Sequence, residues 1–156
     1  MKNKPRVEKQ LMQFKIVHIL LVEDDHVDRQ AIVRGFAKAK MANPVHVASD
    51  GIEALKLLRS EDDHEALPRP YLVLLDLSLP RMNGIEFLDE IRKDNVLKDS
   101  IVFVLTTSNT NEDKAAAYDK QVAGYIVKEK AGKDFAKLTC MLDNFWRAVE
   151  FPPPKE

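Results

Sequence analysis

Apolar residues along this chain gather in short runs separated by longer mixed stretches. The clearest are Ile16-Val17-His18-Ile19-Leu20-Leu21-Val22, Tyr71-Leu72-Val73-Leu74-Leu75, Ile101-Val102-Phe103-Val104-Leu105 and Gly124-Tyr125-Ile126-Val127. Such runs are too short for a typical helix and rich in large aliphatic side chains, so they read as strands buried on both faces of a parallel sheet. With a weaker one at 44–48, strands near 16–22, 44–48, 71–75, 101–105 and 124–127 alternate with helical patterns near 26–39, 50–60, 84–94, 111–121 and 132–149. Five βα units with crossovers of this length predict an α/β fold, a doubly wound five-stranded parallel sheet of order 2-1-3-4-5. Ser49-Asp50-Gly51 opens the second helix, and Gly84 opens the third while letting the chain after Pro80 turn tightly. Ser60 to Pro70 reads as a solvated loop, and residues 1–15, with Leu11, Met12 and Phe14 at the spacing of a helical turn, receive no role.

The residues that follow the strands carry the chemistry. The first strand runs into Glu23-Asp24-Asp25, the third into Asp76, the fourth into Thr106-Thr107-Ser108 and the fifth into Lys128. In open α/β sheets the carboxyl edge of the strands is where ligands bind. A lone Asp there would read as a helix cap or loop acid, but two acid-terminated buried strands place several carboxylates together. Such groups repel and have raised pKa values unless a cation joins them. All-oxygen donors suit Mg²⁺, which takes one or two carboxylates and keeps several waters. Acids, hydroxyls and an ammonium are together the parts that handle a phosphoryl group. Asp25 reads as the cap of the helix containing Val27, Ala31, Ile32 and Phe36.

Glu23-Asp24, Asp76 with Pro80 and Gly84 after it, Thr106, Tyr125 and Lys128 resemble the ordered signature of response-regulator receiver domains of two-component signalling, over residues 16 to 150. That resemblance implies the flavodoxin-like (βα)5 fold and a phosphoacceptor role for Asp76. Asp24 would be a direct metal ligand, Glu23 a ligand through water, and Ser78 a ligand through its backbone carbonyl. Thr106 would bind phosphoryl oxygens, Lys128 would pair with the carboxylate and then the phosphate, and Tyr125 would change rotamer on activation. The chain departs from the pattern twice. Receivers follow the Lys with a cis proline, where this chain has Glu129, and many carry Asp at Glu23.

Length fits one domain: an N-terminal extension over 1–15, a receiver over 16–150 and a tail over 151–156. The 24 basic and 25 acidic residues leave no excess of positive charge for nucleic acid, and no stretch is long and apolar enough for a membrane span or a signal peptide. A single Cys, Cys140, forms no internal disulfide and fits a reducing cytoplasm. His18, His26, His46 and His64 show no metal-ligand spacing. A haloacid-dehalogenase-type phosphatase would need an acid two residues after the nucleophile, where Ser78 stands. A pseudo-receiver would lack site residues that are present here. A DNA-binding regulator would need an effector region and a basic patch with aromatics. The expected function is therefore that of a stand-alone response regulator, not an enzyme with an outside substrate. It takes a phosphoryl group from a sensor histidine kinase and switches the face built from helix 4, strand 5 and helix 5.

The last helical segment carries the apolar stripe Phe135, Leu138, Leu142, Phe145 and Val149, flanked by Met141 and Trp146. A helix needs a stripe only about 100° wide to pack on a sheet. The ending Phe145-Trp146-Arg147-Ala148-Val149-Glu150-Phe151-Pro152 resembles that of the single-domain regulators serving bacterial phytochromes. That likeness implies a homodimer through Met141, Phe145, Trp146, Phe151 and Pro152, and a bacteriophytochrome-type kinase as the partner upstream.

Overall fold

The structure, a computed structural model, describes residues 16–61 and 65–153; the extension over 1–15, His64 and the end of the tail lie outside the described residues. Five strands, β1 (His18–Val22), β2 (Val45–Ala48), β3 (Tyr71–Leu75), β4 (Ile101–Thr106) and β5 (Gly124–Val127), form one parallel sheet of order β2-β1-β3-β4-β5. This is the doubly wound architecture that the alternation of periods predicts. The helices are α1 (His26–Lys38), α2 (Gly51–Arg59), α3 (Gly84–Lys93), α4 (Asn111–Asp119) and α5 (Ala136–Ala148).

Strand alternation divides the apolar residues between two cores. Leu20, Val22, Val73, Leu75, Val102 and Val104 pack with Ala54, Leu55, Leu58, Phe87, Leu88, Ile91 and Ala117, which come from α2, α3 and α4. Ile19, Leu21, Leu72, Leu74, Phe103 and Leu105 pack on the other face with Ile32, Phe36, Leu138 and Leu142 from α1 and α5. Beyond the half-buried His18 and Ile101 at their starts, β1, β3 and β4 are buried on both faces, which is why their sequences read as continuous apolar runs.

Helix starts follow local capping chemistry. Asp25 caps α1 by accepting from the Asp28 N–H at 2.9 Å, as expected of it. Asp50 does the same for α2 through Glu53 N–H at 2.9 Å. Asn83 and Glu86 form a reciprocal capping box at the start of α3, and Thr110 caps α4.

The last helix starts four residues later than its periodicity predicts. Two short 3₁₀ turns, Lys128–Lys130 and Lys133–Phe135, precede it, and Gly132, Asp134 and Phe135 have φ of 88°, 54° and 59°. Those left-handed residues cannot continue an α-helix, so Phe135 stands before α5 rather than on its stripe. Val149 lies after its end, 39% exposed. The Lys128–Glu129 peptide is trans.

At the amino edge of the sheet, His18 Nδ1 and His46 Nε2 lie 3.0 Å apart with stacked rings. Burial lowers both pKa values from 6.5, and His46 lowers that of His18 further. The unfolded chain therefore binds more protons just below pH 6.5, and the pair's contribution to stability is present above that value and lost as pH falls through the folded values. Urea unfolding at stepped pH should show wild-type stability dropping more steeply on acidification than that of His46→Gln. Parallel profiles would assign the loss to carboxylates alone.

Candidate functional site

The register of the sheet assembles the site. Val22 pairs with Leu75, so Glu23 and Asp76 leave their strands side by side, and Thr106 pairs with Val127, so Lys128 follows one step beyond. Alternation continues past the strand ends: Glu23 follows Leu21, Asp76 follows Leu74 and Lys128 follows Ile126, all on the α1/α5 side. Glu23, Asp76 and Thr106 are buried, at 1%, 7% and 0% exposure, although all three are polar. Burying such groups is tolerated only with partners, and among the described residues no buried side-chain polar atom lacks one.

Those partners converge on Asp76. Thr106 Oγ1 donates to Asp76 Oδ1 at 2.9 Å, the Ser78 N–H donates to the same oxygen at 3.1 Å, and Lys128 Nζ donates to Asp76 Oδ2 at 3.1 Å. The same ammonium donates to Glu23 Oε1 at 2.6 Å and Asp28 Oδ2 at 2.8 Å. Burial pushes the Glu23 carboxyl up to about 7, against the opposing effect of its hydrogen bond from Lys128. Burial alone would lower the Lys128 pKa, but its bonds to Asp28 and Glu23 and the charge of Asp76 hold it above its ordinary value.

Carboxylate oxygens of Glu23, Asp24 and Asp76 lie within 4.8 Å of one another, with Asp24 exposed at the mouth. Hard oxygen donors, closely spaced and open to water on one side, fit a small divalent cation that keeps part of its water. Of the residues singled out from the sequence, Glu23, Asp24, Asp76, Thr106 and Lys128 are thus together. Ser78 is exposed and touches Asp76 through its N–H. Tyr125 stands apart, half-buried, its hydroxyl donating to Ser108 O at 3.0 Å. Phe145 and Phe151 pack within the chain: Phe145 meets Phe103 edge-on at 5.0 Å between ring centroids and Phe151 at 6.0 Å. Met141, Trp146 and Pro152 are half-buried.

Two features escape a reading of the sequence. Asp28 reaches Lys128 from the first turn of α1, across 100 residues of chain. The loop after β3 is clamped to the start of α2, with Arg81 Nε donating to Asp50 Oδ2 at 2.7 Å and Gly51 N–H to Met82 O at 3.1 Å. The first depends on a partner 100 residues away on another element, and the second on loop geometry.

Gly84 is needed for close approach, because a Cβ there would stand 2.6 Å from Asp76 O and 2.7 Å from Leu77 Cα. Both are backbone atoms and cannot swing aside. Gly84→Ala should cost about 1–3 kcal/mol in denaturant unfolding by overpacking. An unchanged midpoint would mean that the loop yields without strain.

Comparison with known proteins settles the family. The model of the response regulator receiver domain matches residues 19–139. The chain belongs to the response regulator receiver family. It is 36% identical over 128 residues to the response regulator Rcp1 of Synechocystis sp., covering 82% of this chain and 87% of Rcp1. The crystal structure of the Mn(2+)-bound form of Rcp1 superposes with a TM-score of 0.77 at 35% identity, over 88% of this chain and 99% of that one. The phosphorylated cyanobacterial phytochrome response regulator RcpA gives 0.79 at 34%, over the same shares. The bacteriophytochrome response regulator AtBRR gives 0.67 at 32%, over 82% and 91%. A receiver is a signalling unit rather than a catalyst of outside reactions. Among the described residues no helix is long and apolar enough to cross a membrane.

Proposed function

We propose that this receiver takes a phosphoryl group on Asp76 from a sensor histidine kinase of the phytochrome type. The observation that carries the reading is the placement of one Asp76 oxygen against the Thr106 hydroxyl and the other against the Lys128 ammonium, beside two further carboxylates. An Asp76 oxygen attacks phosphorus in line as the N–P bond of phosphohistidine breaks. The electron pair leaves with the imidazole nitrogen, and the acyl phosphate forms. Lys128 offsets charge on the phosphoryl oxygens, and Thr106 donates to one of them. Mg²⁺, held by Asp24 and Asp76 directly, Glu23 through water and the Ser78 carbonyl, would add positive charge at the same oxygens.

Thr106 moves toward the phosphoryl group, Tyr125 leaves Ser108, and the α4/β5/α5 face changes its shape. Residues 16–150 form the receiver and 151–156 its tail, acting in the cytoplasm without nucleic acid. Likeness to Rcp1, RcpA and AtBRR supports the phytochrome-type kinase as partner. Timed phosphotransfer from a panel of autophosphorylated kinases tests it. Fastest transfer from a phytochrome-type kinase is expected, and preference for an unrelated sensor kinase would remove that partner.

Dimerisation through Met141, Phe145, Trp146, Phe151 and Pro152 belongs to the same reading. Val17, Pro70, Trp146, Val149 and Phe151 border an open groove of about 690 Å³ at the end of α5, and Val149 is 39% exposed. A second copy would cover it. Sedimentation equilibrium at tens of micromolar should give a dimer whose dissociation constant rises at least about tenfold in Trp146→Ala, the loss typical of an aromatic anchor. A monomeric wild type would leave Trp146 as the edge of this chain's own core.

A further inference from the structure

An ammonium has three protons to donate, and those of Lys128 are directed to three carboxylates: Glu23 at 2.6 Å, Asp28 at 2.8 Å and Asp76 at 3.1 Å. A phosphoryl group arriving at Asp76 needs one of those protons. Glu23 is 1% exposed, and its release would leave buried Oε1 without the bond from Lys128, since the Asp25 N–H donates to the other oxygen, Oε2, at 3.2 Å; Asp76 is the acceptor itself. Asp28 differs from both. Its side chain is 33% exposed, so water can take over the bond it gives up. It also stands on α1, whose first turn is fixed by the Asp25 cap to Asp28's own N–H, so its carboxylate stays within reach of Lys128.

We infer that Asp28 is a positioning residue that holds Lys128 in the unphosphorylated state and yields that proton to the incoming phosphoryl oxygen, setting the rate at which Asp76 is phosphorylated. This rests on the assignment of Asp76 as phosphoacceptor. The ion pair competes with the phosphoryl group for a single ammonium, so removing the competing charge speeds the reaction. Asn keeps the shape of Asp28 and the cap donor N–H while losing the charge. The longer carboxylate of Glu still reaches Lys128.

Phosphorylation of the full chain by acetyl phosphate with Mg²⁺ tests this without a kinase. The second-order rate constant for Asp28→Asn should rise about 2- to 5-fold, the size expected of a partly exposed ion pair, and Asp28→Glu should return it to the wild-type value. Glu129→Gln removes an exposed charge next to Lys128 in sequence and should leave the rate unchanged. Thermal unfolding of each variant, run in parallel, checks that the fold is retained. A rate for Asp28→Asn equal to or below wild type, no return with Glu, or an equal gain in Glu129→Gln would overturn the role of Asp28 while the wild type still phosphorylates. A wild type that takes no phosphoryl group would instead overturn the assignment of Asp76 and this inference with it.

Discussion

Asp76→Asn is expected to carry no phosphoryl group after incubation with acetyl phosphate and Mg²⁺, under conditions in which the wild type gains one. Asn keeps the volume and the hydrogen bond from Thr106 but has no anionic oxygen to form the P–O bond. The loss should therefore be at least roughly a hundredfold in label, as for removal of a nucleophile that forms a covalent intermediate. Neighbouring acids do not replace it easily. Glu23 has both oxygens engaged, Oε1 by Lys128 at 2.6 Å and Oε2 by the Asp25 N–H at 3.2 Å, and it lacks the hydroxyl donor that Thr106 gives Asp76. Intact mass before and after hydroxylamine treatment checks the result. Retention of wild-type label by Asp76→Asn would move the acceptor elsewhere.

Arg92→Ala should be among the most destabilising single changes outside the apolar core. The guanidinium is half-buried and donates to four backbone carbonyls, of Lys98, Ser100, Lys120 and Gln121, at 2.8, 2.8, 2.7 and 3.0 Å. Those carbonyls flank the starts of β4 and β5, the strands that deliver Thr106 and Lys128 to the site. Alanine leaves them dependent on water and frees two loops. Hydrogen bonds from a charged group contribute about 1.5–3 kcal/mol each when buried. With partial exposure and non-additivity the net loss should be about 2–4 kcal/mol in urea unfolding. Arg92→Lys keeps the charge but not the planar fork, so it should recover less than half of that. A loss below about 0.5 kcal/mol for Arg92→Ala, the range of ordinary surface changes, would show that the four carbonyls find other partners at no cost.

The contrast between Asp76 and Arg92 shows what was legible before the structure. Asp76 ends a five-residue apolar run, and strand order follows from the number and length of βα units. Register then brings Glu23, Asp76, Thr106 and Lys128 together without further information. Arg92 sits in an ordinary helical pattern, and its four acceptors are defined only once α3, β4 and the loop before β5 are packed. Asp28 was unreadable for the same reason, since its partner lies on another element. Periodicity also placed the start of α5 too early. Apolar spacing continues back through Phe135, but positive φ at Asp134 and Phe135 is a backbone property that the spacing does not encode. Asn83 and Thr110 could have been read as caps from residue type alone, since each is followed three residues later by an acid at the helix N3 position.

Chemical trapping of the phosphorylated wild type is the most direct measure of the central claim. Borohydride reduces an acyl phosphate on Asp to homoserine, which marks the acceptor by mass in a peptide digest. Conversion is expected at Asp76 alone, dependent on both phosphodonor and Mg²⁺. Homoserine at Asp24 or Asp25, the one-carbon-longer alcohol at Glu23, or no reduction in a wild type that mass spectrometry shows to be phosphorylated would contradict Asp76 as the acceptor.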